Sequence, residues 1–319
     1  MTAGAPAAGD LALLQGTLAG LGQVVVAFSG GADSAFLAKV ATDTLGAERA
    51  LCVTAVSPSL APEELADCRA LADEWGLSHH EVVTDELADP AYAANDGSRC
   101  YHCKSSLMAA LSPVVAAAPA GHCKSSLMAA LSPVVAAAPA GAAVVLGVNL
   151  DDLGDHRPGQ AAAAERGARF PLVEAGFTKD AVRAWSRALG LRTWDKPAAA
   201  CLASRVPYGT PVTFSTLDAV ARAESGLRRL GFAALRVRHY GDTARIEVPE
   251  EALGEVVTRR REVSEAVHAA GYRYVTLDLD GLRSGNLNDA LSSAERGTAP
   301  VGLSPATAPA AAIPQGAHP

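Results

Sequence analysis

The apolar positions in the first half of the chain come in short β-branched runs, separated by stretches with helical spacing. Residues 24–28 read VVVAF, an unbroken apolar run of the kind a strand buried on both faces needs. After the turn SGGADS, residues 35–46 read AFLAKVATDTLG, with apolar positions at helical spacing and Gly46 as a stop. Residues 51–56 predict a second strand. Residues 61–75 predict a helix, with Pro62 in its first turn and Gly76 just past its end. Residues 80–83 and 143–148 predict two more strands. Strands alternating with helices in this way predict an α/β fold built on a doubly wound parallel sheet.

After about residue 200 the pattern changes. Residues 215–230 predict a helix, and 234–239 and 244–248 predict antiparallel strands around Tyr240-Gly241-Asp242. A helix over 250–270 and a strand over 274–279 complete a smaller α+β domain. The expected organisation is therefore a first domain over 10–200 and a second over 201–290. Residues 1–9 and 291–319 are rich in Ala, Pro, Gly and Ser and are expected to be disordered.

One segment is present twice. HCKSSLMAALSPVVAAAPAG occupies 102–121 and again 122–141, without a mismatch. Each copy predicts one helix, 104–117 and 124–137, with a kink near Pro113 or Pro133. A parallel β–α–β unit uses one helix to return the chain to the start of the next strand, so one copy is an excursion. Copy 1 keeps the Cys100-Tyr101-His102-Cys103 motif intact and is the expected framework helix. Copy 2 is the expected bulge, which leaves Cys123 without a role.

The chain has 319 residues, room for two cores, and a net charge of −7 that argues against nonspecific nucleic-acid binding. No apolar run reaches membrane-spanning length, and the start carries no basic, apolar leader. The expected location is the cytoplasm, where the six cysteines stay reduced and serve metal binding or catalysis. Cys52 and Cys68 fall in a strand and a helix and read as core residues.

The chemistry starts at SGGADS, between a buried strand and a helix. Gly30 and Gly31 permit a tight turn whose N–H groups face a phosphate. Ser29 and Ser34 add hydroxyls, and Asp33 is placed to hold Mg²⁺ on a pyrophosphate. No Gly-Lys-Ser/Thr follows, so this is not a Walker loop. The turn resembles that of the PP-loop ATP pyrophosphatases, which cleave ATP to AMP and pyrophosphate and adenylate an oxygen of their substrate. Asn149, Asp151 and Asp152 follow the fourth strand, where parallel sheets bind ligands, and face the nucleotide or its Mg²⁺; Arg157 in the same loop is within reach of a phosphate.

AACLASRVPYGTPVT, residues 199–213, joins Cys201, Ser204 and Arg205 to a Pro/Gly-rich turn. Together with SGGADS, RCYHCK and GYRYVTLDLDGLRSGNLN, it resembles the LarE family of ATP-dependent sulfur-inserting enzymes over about residues 10–290. The resemblance implies a pyridinium dicarboxylate mononucleotide as substrate. Its carboxylate is adenylated by ATP, and a sulfur nucleophile then displaces AMP to leave a thiocarboxylate. Cys201, Asp33 and Ser34 take the catalytic positions. Ser204, Arg205 and Arg236 take the substrate positions, and Arg238 is a further phosphate candidate. Glu224 and Glu247 match acidic positions that hold a divalent metal. Cys100, Cys103 and Cys201 match a three-cysteine 4Fe–4S site. A sacrificial Cys201 and a zinc site are the alternatives. The family also implies a homo-oligomer, a hexamer. A tRNA-thiolating enzyme, an ammonia-using amide synthetase and a non-catalytic nucleotide-binding module are the rival functions.

Overall fold

The structure, a computed structural model, describes residues 9–116, 141–154, 158–197 and 200–283. Both terminal segments expected to be disordered, all but Gly9, lie outside these residues. So do Arg157 and the predicted helix of the second repeat copy.

The first sheet is parallel, and its strands are β1 (Val24–Ala27), β2 (Ala50–Val56), β3 (Ser78–Val83) and β4 (Ala143–Leu146), in the order β3-β2-β1-β4. Side chains alternate between its faces, and both faces are covered. Val24, Val26, Phe28 and Cys52 pack on one side with Phe36, Leu71 and Val182. Val25, Leu51 and Val53 pack on the other with Leu107, Leu111 and Ala163. The helices responsible are α1 (Leu11–Leu21), α2 (Ala32–Leu45), α3 (Pro62–Trp75), the short α4 (Pro90–Ala93), α5 (Arg99–Ala116), α6 (Pro158–Glu165), the short α7 (Pro171–Glu174) and α8 (Lys179–Ala188). This is the doubly wound sheet the alternating pattern predicts. β3 starts two residues before its predicted start because it is an edge strand, whose half-buried Ser78, His79 and His80 carry no apolar signal.

From β1 the chain winds outward through β2 to β3, then returns to add β4 on the other side of β1. The carboxyl ends of β1 and β4 therefore flank a topological switch point, the place where open α/β sheets bind ligands. The SGGADS turn follows β1, and Asn149 follows β4.

The second sheet has three strands, β5 (Arg236–Tyr240), β6 (Thr243–Glu247) and β7 (Tyr274–Leu277), with β5–β6 antiparallel and β6–β7 parallel. It packs on α9 (Phe214–Arg229) through Ala223, Leu227, Val237 and Ile246. The single helix predicted over 250–270 is in fact broken. A 3-10 turn leads into α10 (Leu253–Thr258), and α11 (Arg260–Ala269) follows. The break falls at Arg259, whose backbone turns to ψ 22 and whose guanidinium donates to the Leu230 carbonyl at 2.7 Å and pairs with Glu255 and Glu262.

A small apolar cluster of Tyr92, Leu202, Ala203, Val206, Val212, Leu217 and Val220 joins the two sheets' surroundings. Asn95 completes the joint. It sits at φ 59, in the left-handed region Asn tolerates better than most residues. Its side-chain amide donates to the carbonyls of Pro207 and Thr210, each at 2.8 Å, and its own carbonyl accepts from Gly209 at 3.0 Å. Among the described residues no helix is long and apolar enough to cross a membrane.

Candidate active site

Gly30 adopts φ 68, and a Cβ there would stand 2.8 Å from the Cys68 sulfur, so both conformation and space demand glycine. Gly31 is the N-cap of α2, so the first N–H groups of that helix open into the turn. Ser34 stiffens the turn from inside. Its hydroxyl donates to the Gly31 carbonyl at 3.1 Å, accepts from the Ser29 N–H at 3.2 Å and meets the Ser29 hydroxyl at 3.0 Å. Thr54, on the neighbouring strand, donates to the Phe28 carbonyl at 2.7 Å and fixes the turn's entry.

The structure brings Asp33 and Asn149 together across the switch point. Asn149 Nδ2 donates to Asp33 Oδ1 at 3.2 Å. The Asn149 side-chain carbonyl accepts the N–H groups of Asp151 and Asp152, and Asp152 accepts the Asn149 N–H. Asp151 in turn accepts the Lys179 N–H at 2.6 Å. Gly147 makes the approach possible, because a Cβ there would lie 2.7 Å from the Ser34 nitrogen.

Two lysines not anticipated from the sequence complete this end of the sheet. Lys179, at the start of α8, reaches Asp33 Oδ2 at 2.5 Å. Lys196 donates to the Gly30 carbonyl at 3.1 Å, to Glu64 at 2.8 Å and to Asp67 at 2.6 Å. Burial opposes the Lys196 ammonium, but the hydrogen bonds to Asp67 and Glu64 outweigh it and raise its pKa above the ordinary lysine value. A lysine in a stretch such as WDKPAAAC reads as solvated. Only the fold reveals its partners.

Cys201 precedes the 3-10 turn Leu202–Arg205 and is exposed. The turn is tied down on two sides. Leu202 N–H donates to the Ser59 carbonyl, just past the carboxyl end of β2, at 2.8 Å. Arg99, buried at the first turn of α5, donates to the Ala203 carbonyl at 2.9 Å, hydrogen-bonds Asn95, and lies over the Tyr208 ring. The same first turn carries Cys100 and Cys103. The predicted helix over 104–117 therefore starts earlier, at Arg99, and includes both cysteines. Helix α6 lies against that turn at Gly159, where a Cβ would stand 2.8 Å from the Cys100 carbonyl oxygen.

Burial pushes the Cys103 thiol up to about 12, and the nearby Cys201 adds to that shift, whereas Cys100 is exposed. No three His, Cys, Asp or Glu side chains among the described residues converge tightly enough to hold a metal ion. Thiolates are donors that a 4Fe–4S cluster and a zinc ion both accept. Cys52 and Cys68 are buried in the core, as read.

The arginine and glutamate candidates form one buried network. Glu224 takes Arg205 at 2.8 Å and Arg228 at 2.9 Å, and accepts the Val237 N–H at 3.0 Å. Glu247 takes Arg238 at 2.9 Å and Arg245 at 3.2 Å. Arg205 also donates to the carbonyls of Ala200 and Cys201 and to the Ser204 hydroxyl, while Arg238 donates to the Ser204 carbonyl at 2.7 Å. Both carboxylates thus have arginine partners. Arg236 differs. It is half-buried, and its NH1 donates to the Arg283 carbonyl. Desolvation, then the charges of Arg238 and Arg205, lower its pKa. A half-desolvated guanidinium beside two others is an anion-seeking group.

Together, the Ser-Gly-Gly-Ala-Asp-Ser turn at the switch point and the doubly wound sheet define a PP-loop nucleotide-binding protein. A family model described as NAD synthase matches residues 15–104, the part that contains this turn. The pyridinium-3,5-bisthiocarboxylic acid mononucleotide synthase of Lactiplantibacillus plantarum is 37% identical over 287 residues, covering 90% of this chain and 96% of that protein. An uncharacterized protein of Synechocystis sp. is 45% identical over 274 residues, covering 85% of this chain and 94% of its own length. A more distant uncharacterized protein of Methanocaldococcus jannaschii is 23% identical over 262 residues, 82% of this chain and 91% of that protein. The chain belongs to the LarE family, that of the pyridinium-3,5-bisthiocarboxylic acid mononucleotide synthases.

Proposed function

We propose that the protein is an ATP-dependent sulfur transferase that converts a carboxylate of a pyridinium dicarboxylate mononucleotide to a thiocarboxylate. The observation that carries the reading is that the SGGADS turn and the Cys201 segment lie at the same end of the parallel sheet: the turn follows β1, and Leu202 N–H donates to the Ser59 carbonyl just past the carboxyl end of β2. ATP handling falls to residues 10–200 and sulfur transfer to 201–290.

In the first step a substrate carboxylate oxygen attacks the α-phosphorus of ATP, the bond to pyrophosphate breaks, and an acyl adenylate forms. Ser29, Gly30, Gly31 and Ser34 cradle the phosphates. Asp33, flanked by Asn149 and Lys179, is the residue that would hold Mg²⁺, which would offset charge on the pyrophosphate when bound. Asp152 holds the Asn149 backbone in place. Arg236 is the foremost candidate for the mononucleotide phosphate. Arg205 and Ser204 shape the wall beside Cys201. For Glu224 and Glu247 the arginine pairs favour a positioning role over metal binding.

In the second step sulfur attacks the carbonyl carbon and AMP leaves. With Cys201 as donor, its Cβ–S bond then breaks as the Cα proton is lost, which leaves dehydroalanine. The other source, and the one that the three-cysteine pattern favours, is a 4Fe–4S cluster, which Cys100, Cys103 and Cys201 would hold and which would supply sulfide when bound. The reading includes a reducing cytoplasmic setting and a homo-oligomer, hexameric by resemblance. Mass spectrometry of nucleotides, product and protein after incubation with ATP and the mononucleotide tests it. AMP, pyrophosphate and thiocarboxylate are expected, and an amide product or a thiolated RNA would replace the reading.

The cluster has its own test. Cys103→Ser should lose iron and sulfide from anaerobically prepared protein, whereas Cys123→Ser, in the repeat's second copy, should retain both. The opposite pattern would assign the framework helix to copy 2.

A further inference from the structure

We propose that Lys196 is a positioning residue that sets the orientation of the Gly30–Gly31 peptide and, through α3, couples nucleotide binding to the placement of Cys201. The proposal rests on the assignment of the turn as the nucleotide site and of Cys201 as the sulfur-transfer site.

The first half follows from peptide geometry. In a trans peptide the C=O and the next N–H point in opposite directions. Lys196 holds the Gly30 carbonyl at 3.1 Å. The Gly31 N–H, which belongs to that peptide, is thereby directed away from Lys196. With glycine on both sides, this peptide has little intrinsic preference between the two orientations. In the flipped one a carbonyl oxygen would replace an N–H in the cradle and repel an anion. The ammonium has three donors, and all three are used: Gly30, Glu64 and Asp67. Its charge is balanced by the two carboxylates, so the contact to the carbonyl adds orientation rather than neutralisation.

The second half follows from α3. That helix supplies Glu64 and Asp67, which hold Lys196. The loop just before it supplies the Ser59 carbonyl, which holds Leu202. Arg192 strengthens the attachment by pairing with Asp67 and Glu74. Residues on both sides of the 197–201 stretch are thus fastened to one helix and its leading loop, and one fastening also touches the nucleotide turn. A shift of the Gly30 carbonyl on ATP binding reaches Cys201 along this route.

The test uses the full-length protein and two readouts. Lys196→Met should weaken binding of a non-hydrolysable ATP analogue about tenfold, equivalent to about 1.4 kcal/mol. In the wild type, ATP should change the rate at which iodoacetamide alkylates Cys201, followed by peptide mass spectrometry, and this ATP effect should be lost in Lys196→Met. Glu64→Gln, which keeps the lysine and its Asp67 partner, should show both effects in weaker form and serves if Lys196→Met does not fold. Unchanged analogue binding in a folded variant overturns the first half. An ATP effect on Cys201 that survives the substitution, or is absent from the wild type, overturns the second. Neither readout requires turnover, so a wild type that makes no thiocarboxylate defeats the proposed function without deciding this proposal.

Discussion

Asp33→Asn should reduce AMP formation on the order of a hundredfold, the usual loss when one preorganised charge-stabilising group is removed. The substitution preserves shape. Asparagine still accepts the Asn149 amide at the position Oδ1 now holds, so the switch point stays closed. What disappears is the negative charge that faces Lys179 and would meet Mg²⁺. The metal would then lose this carboxylate, and the charge developing on the departing pyrophosphate would be less well compensated. Lys179 also loses its counter-ion and becomes free to bind phosphate directly. The variant's KM for ATP should therefore change little while kcat falls. Chromatography of the nucleotides reads the result directly. Release of ADP and phosphate by the wild type would remove the α-phosphoryl assignment altogether.

Cys201→Ala should abolish thiocarboxylate formation and leave adenylation in place. The cysteine is exposed, and its side chain caps nothing in the Leu202–Arg205 turn. The contacts that shape the segment use its neighbours' backbone: Leu202 N–H to Ser59, Ala203 carbonyl to Arg99, and the Cys201 carbonyl itself to Arg205. Removing the sulfur leaves all of these intact. AMP should still form and the adenylate should hydrolyse, so AMP release becomes uncoupled from sulfur transfer. Wild-type protein recovered after one turnover separates the donors. Loss of the mass of H₂S at Cys201 identifies the cysteine, and an intact Cys201 identifies a cluster-borne sulfur. Thiocarboxylate from the alanine variant would remove Cys201 from both schemes.

Much of the nucleotide end is legible in the sequence because its signals are local. VVVAF, the glycine pair and the helical spacing behind them lie within about twenty residues, and the alternating elements place Asn149 at the switch point. The rest depends on residues that touch only in three dimensions. Lys179 and Lys196 look like ordinary surface lysines until the fold delivers Asp33, Glu64 and Asp67 to them. Glu224 sits on a helix, where a lone glutamate reads as solvated, yet it is fully buried between Arg205 and Arg228. The helix break at Arg259 has no glycine or proline to announce it, since the cause is a side chain reaching Leu230. Asn95 gives no local sign that its amide will serve the distant carbonyls of Pro207 and Thr210.

Asn95 also bears on how the protein is made. Its partners lie 111 to 115 positions further along the chain. Contacts of such sequence separation form late, because the intervening chain must first be closed into a loop. All four strands of the parallel sheet precede residues 201–212 in the chain and are made before them. The first turn of α5 emerges with Arg99 unsatisfied and Cys100 and Cys103 open to solvent. A ribosome-bound chain therefore holds Cys100 and Cys103 before Cys201 exists, and any prosthetic group that needed all three thiols could be completed only once residue 201 had been made.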